Sequence, residues 1–137
     1  MNTSTGAILL YSLAVAVVLI YLPFLVVAGA RLQVGYDMKA PRKMFDKLPP
    51  YAQRATWAHQ NAFESVIIYT PAALSAYVVG VDSNIAIYAV IAYLIARTLY
   101  PIFYLTDLAL GRSFMFAVAN LSSFTLFALT FLKVNSL

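Results

Sequence analysis

Residues 7–30 read AILLYSLAVAVVLIYLPFLVVAGA, a run without a single charged side chain. About 20 apolar residues in a helix suffice to cross the hydrocarbon core of a bilayer, so this run is long enough to be a transmembrane helix. Pro23 lies inside it and predicts a bend, because its ring removes one main-chain hydrogen bond. No basic segment precedes the run and no small-residue cleavage pattern follows it, so it is expected to be retained and not removed as a signal peptide. Neither end of the chain carries a lipidation motif.

The rest of the chain has the same character. Of 137 residues, 63% are hydrophobic and 10% charged, whereas soluble domains carry about a quarter charged residues. Three further apolar stretches, 55–79, 84–104 and 113–132, predict an all-α integral membrane four-helix bundle occupying residues 1–137 as one domain. Trp57 stands where an aromatic interface anchor belongs, and Pro71 predicts a second kink. Gly80 and the segment up to Asn84 predict a tight connection, with Ser83 or Asn84 as the next N-cap. A second turn is expected at 107–112, with Gly111 as its flexible point.

Charge orients the spans. Arg31, Lys39, Arg42, Lys43, Lys47 and Arg54 are six of the nine basic residues and share the loop 31–54. A pI near 9.4 therefore reflects the positive-inside pattern, not a nucleic-acid surface. The loop, rich in Pro41, Pro49 and Pro50, is expected to be partly ordered at the cytoplasmic face, with both termini on the other side. The chain lacks cysteine, so any thiol chemistry must use a substrate's sulfur.

Polar groups at membrane depth are few and clustered. Glu64 lies ten residues after Arg54, and Arg97 ten residues before Asp107 on a returning helix. At about 1.5 Å per residue, both sit roughly 15 Å from the same end and are expected to pair. Arg54, Ala58, Asn61 and Glu64 share one helical stripe; His59 points away from it, toward a different helix or another subunit. Tyr93, Arg97, Tyr100 and Tyr104 form a facing stripe, and Arg112 with Ser113 opens the last helix, where free amides favour an anion. The set predicts an anion-binding pocket at the cytoplasmic interface. Taken singly, each residue also has a plain role: a structural ion pair, a packed histidine, interface tyrosines, cations on lipid headgroups. One histidine beside one carboxylate does not make a metal site, and none is expected.

The run RATWAHQNAFE (54–64), followed by RTLYPIFY (97–104) and by Arg112 with Ser113, resembles the MAPEG family, membrane-associated proteins in eicosanoid and glutathione metabolism. The resemblance implies a homotrimer of four-helix subunits with glutathione, as co-substrate, held between them near the cytoplasmic side. It implies that Arg31, Arg54, His59, Asn61, Glu64, Arg97 and Tyr104 contact glutathione, and that Arg112 stabilises its thiolate with help from Ser113. The implied activity is glutathione transfer or peroxide reduction on a hydrophobic small molecule arriving from membrane lipid.

Trp57 and Gln60 stand where some eicosanoid-forming members place arginines, and Phe116 where a tyrosine occurs in the prostaglandin-forming branch. The loop VGYDMKAPRKMFDKLPPYAQR (34–54) is more similar to bacterial members, which implies a bacterial inner membrane. Two other readings are compatible with four spans. One is a non-catalytic member whose pocket holds a lipid or another anion; the other is a proton-coupled exporter. The exporter is opposed by a first span without any acidic residue.

Overall fold

The computed structural model describes residues 3–136. Four α-helices follow in order: α1 (Thr3–Gln33), α2 (Pro50–Val78), α3 (Asn84–Leu105) and α4 (Ala109–Val134), with a short 3-10 helix, Pro41–Lys47, between the first two. Three of them, Thr5–Gln33 of α1 together with α3 and α4, are long and apolar enough to cross a membrane. The chain is thus an integral membrane protein. α2 has 29 residues and equal reach but lower hydropathy. Arg54, His59, Gln60, Asn61 and Glu64 interrupt it, and it packs against each of the other three helices.

The helices run past the expected ends for local reasons. α2 starts at Pro50, where a proline at the first helical position forfeits only an amide that would have lacked a partner. Arg54 therefore lies inside the helix. α1 continues through Arg31 to Gln33, and Gly35, at φ +86°, turns the chain out of it.

α2 closes with Gly80 at φ +71°, its amide on Tyr77 O and that of Val81 on Ala76 O, a Schellman arrangement. Ser83 then caps α3, its Oγ accepting from Ile85 N at 3.1 Å. The second turn corrects an expectation. Asp107, not Gly111, takes the left-handed conformation at φ +61°, with Leu108 N on Phe103 O at 2.8 Å. Gly111 lies inside α4, where a Cβ would stand 3.0 Å from the Phe103 ring. Its missing side chain leaves room for that ring where α3 and α4 pack.

Alanine makes the packing tight. Ala72, Ala73 and Ala76 of α2 and Ala86, Ala89 and Ala96 of α3 are buried in one core with Ala16 of α1 and Ala119 of α4, and side chains this small let helices approach closely. At its centre the rings of Tyr69 and Tyr93 stack at 3.6 Å, 6° from parallel. Their hydroxyls are satisfied by Ser12 (2.7 Å) and Ser65 (3.1 Å). A second core of Val27, Ala30, Leu48, Ala52 and Ala55 holds the loop end of α1 to the start of α2.

Candidate functional site

Arg97 is the most deeply buried charge, 4% exposed within α3. A guanidinium at such depth requires hydrogen-bond acceptors. Its Nη1 donates to Asn61 Oδ1 at 3.0 Å, and Asn61 Nδ2 in turn donates to Glu64 Oε2 at 3.1 Å. The expected pairing of Glu64 with Arg97 is thus relayed through the Asn61 carboxamide, whose two ends suit one cation and one carboxylate. The helical spacing from Asn61 to Glu64 brings both side chains onto one face of α2. Arg97 also lies 4.6 Å above the centroid of the Tyr100 ring.

Next to this relay, Tyr100 and Tyr104 meet edge to face at 5.6 Å. The Arg112 guanidinium sits 4.6 Å from the Tyr104 centroid. Two adjoining hollows share Asn61, Tyr100 and Tyr104. One, of about 430 Å³, is completed by Trp57, Gln60 and Glu64. The other, of about 300 Å³, is completed by Arg112, Ser113 and Phe116. Together they make a groove with a carboxylate at one end and an arginine at the other.

Six of the expected site residues are gathered here: Asn61, Glu64, Arg97, Tyr104, Arg112 and Ser113. Three are elsewhere. Arg54 donates through Nε and Nη2 to Leu105 O, at 3.3 and 3.0 Å, so it closes the end of α3. His59 lies across α2 from the groove, its Nδ1 2.7 Å from Ile20 O and its ring among Phe24, Phe63 and Tyr21. A carbonyl only accepts, so Nδ1 carries the proton. Arg31, in the last turn of α1, has a buried Nε without a partner among the described residues.

The expected amide site also shifts. Because α4 begins at Ala109, Arg112 N already bonds Leu108 O at 3.0 Å. The amides left free at that helix end belong to Ala109, Leu110 and Gly111. Three groove residues were not read from sequence as ligand contacts, Trp57, Gln60 and Phe116, whereas Tyr100 lines the groove as its stripe predicts. Trp57 and Gln60 precede Asn61 and Glu64 by four residues each, and that periodicity was the available signal.

Among the described residues no cluster of histidine, aspartate or glutamate suits a metal ion. Over residues 8–132 the chain matches the model of the MAPEG family. No curated protein and no solved structure matches it.

Proposed function

The chain belongs to the MAPEG family, and from that premise we propose that it is a membrane-bound glutathione transferase or peroxidase acting on lipophilic electrophiles. One observation carries the reading: the groove is lined by Glu64 and Asn61, the latter held from behind by the buried Arg97, and by Arg112 beside Tyr104. Glutathione bears an ammonium, two carboxylates and a thiol, and so needs both signs of charge along one groove. Glu64 receives the ammonium, and the arginines and the Asn61 amide hold the anionic parts. Arg112, with the Ser113 hydroxyl beside it, faces the sulfur.

A free thiol ionises near pH 8.5, and a neighbouring cation favours the thiolate. The thiol gives its proton to water, and the sulfur pair attacks carbon of an electrophile, whose displaced group or new anion takes up a proton. With a peroxide, sulfur attacks oxygen and releases an alcohol; a second glutathione then forms the disulfide and water.

Glu64 is exposed on the face of α2 while lying deep along a membrane helix. A carboxylate there is costly against lipid. Assembly as a homotrimer covers it with a neighbouring subunit and offers partners to Arg31 and to the His59 face. In this arrangement α2 is the fourth span, long enough at 29 residues. The basic loop lies in the cytoplasm of a bacterial cell, and both termini lie across the inner membrane.

Isothermal titration of the purified protein with glutathione, wild type beside Arg97→Ala, tests the proposal. Saturable heat that disappears in the variant is the expected result. No heat from wild type, with a lipid copurifying that glutathione analogues do not displace, would instead make this a non-catalytic member.

A further inference from the structure

The whole net charge of the chain, +4, resides in residues 31–54. Elsewhere Arg97, Arg112 and Lys133 are balanced by Glu64, Asp82 and Asp107. Within the loop, Lys39, Arg42, Lys43 and Lys47 are exposed. They are held on a folded platform, not a loose tail. Met44 is buried and accepts Asp37 N through sulfur at 3.3 Å, and Gln53 Nε2 donates to Phe45 O and Leu48 O.

Apolar side chains stand among these cations. Met38 is 82% exposed and Leu32 71%, and Tyr36 is exposed beside them. In a membrane protein, cations and bare apolar groups together at the end of a helix match the phospholipid headgroup layer. Phosphates face the cations there, and glycerol and upper acyl chains face the apolar groups. The platform also reaches the groove. Phe45 lies 5.6 Å from Trp57, ring to ring, and Trp57 lies 6.4 Å from Tyr104 while forming the groove wall.

We propose that the surface carrying Lys39, Arg42, Lys43 and Lys47 docks anionic phospholipid, and that the Phe45–Trp57 contact conveys its occupancy to the groove. The docking stands on the loop alone, whereas an effect on glutathione affinity rests on the function proposed above.

Trp57 is the one tryptophan of the chain and therefore reports on the contact directly. The protein is placed in nanodiscs of phosphatidylcholine, with or without phosphatidylglycerol, and its emission is recorded. The expected result is an emission change that saturates with phosphatidylglycerol and shrinks with added salt, as screening requires. The combined substitution Arg42→Gln, Lys43→Gln and Lys47→Gln should remove it. Phe45→Ala, or Phe45→Leu if the first variant folds poorly, should keep phosphatidylglycerol bound by native mass spectrometry while abolishing the emission change.

Phosphatidylglycerol not retained in native mass spectrometry, or a full response from the triple variant, would overturn the docking surface, and equal emission in both nanodiscs with the lipid retained would overturn the coupling. A full response from soluble glycerol phosphate in phosphatidylcholine nanodiscs would overturn the assignment to lipid. An unaltered response in the Phe45 variant would overturn the coupling. Glutathione titration in the same nanodiscs reads the proposed function separately, since Trp57 emission requires no glutathione.

Discussion

Arg97 reaches Asn61 across the gap between α3 and α2, Nη1 to Oδ1 at 3.0 Å, and the same carboxamide holds Glu64 at 3.1 Å. Asn61 thus keeps a buried cation and an exposed carboxylate in one chain of hydrogen bonds. Asn61→Leu removes both links and leaves the guanidinium facing hydrocarbon. A hydrogen bond to a charged group is worth about 1.5–3 kcal/mol, and a loss of that order is expected in thermal unfolding in detergent. Glutathione affinity should fall by tenfold or more, which titration reads. A variant as stable as wild type that binds equally well would show that the relay is idle.

Gly111 and Phe103 give a test of helix spacing. Gly111→Ala puts a methyl 3.0 Å from the Phe103 ring, tighter than most carbon contacts, so the ring must yield by a fraction of an ångström. Overpacking of this kind costs about 1–3 kcal/mol. Because Arg112 is the next residue, displacement of α4 should also weaken its contact with Tyr104. Phe103→Leu in the same background should recover part of the lost stability, a coupling that a double-mutant cycle measures. Strictly additive losses would mean that the two residues do not press on each other.

How much of this was legible follows from where each cause lies. The helices show in the sequence because long apolar runs have few other solutions, but their ends depend on details such as Pro50 at the first position of α2. Asp107 was overlooked because glycine is the usual residue at positive φ, and Gly111 stood nearby for a different reason. The level of Glu64 with Arg97 came from counting along two helices. Asn61 between them required side-chain geometry. The contact of Arg54 with Leu105 O was not legible, because no residue type announces a main-chain carbonyl as a partner. The contact of Phe45 with Trp57 depends on the fold of the loop and has no signal in helical spacing.

The core offers an asymmetry between Tyr69 and Ser12. Tyr69 Oη donates to Ser12 Oγ at 2.7 Å, and Ser12 Oγ donates to Leu9 O at 2.7 Å. Tyr69→Phe deletes the donor and leaves Ser12 its carbonyl, so the expected cost is about 0.5–1.5 kcal/mol. Ser12→Ala instead strands a phenol hydroxyl in a buried site, at about 1–3 kcal/mol. Unfolding of the two variants in one detergent should rank serine removal as the more damaging. The reverse order would mean that Tyr69 finds another acceptor.

Arg112 should leave its mark on pH dependence. Its guanidinium stacks on Tyr104 at the groove, where the proposed thiolate would form. A positive neighbour stabilises the deprotonated sulfur and lowers its pKa, so wild type should reach full thiolate at a lower pH than free glutathione. In Arg112→Ala the bound thiol should revert toward about 8.5, with only a few per cent ionised near neutrality. Stopped-flow absorbance of the thiolate, followed from pH 6 to 10, should therefore show a curve displaced to higher pH. Rates of conjugation should converge with wild type as the pH rises above that value. Arg112→Lys keeps the charge but loses the flat stacking on Tyr104, and should lie between the two. Because Arg112 is partly exposed, these substitutions should change stability little. A thiolate curve identical in wild type and Arg112→Ala would remove Arg112 from the chemistry, even with glutathione still bound.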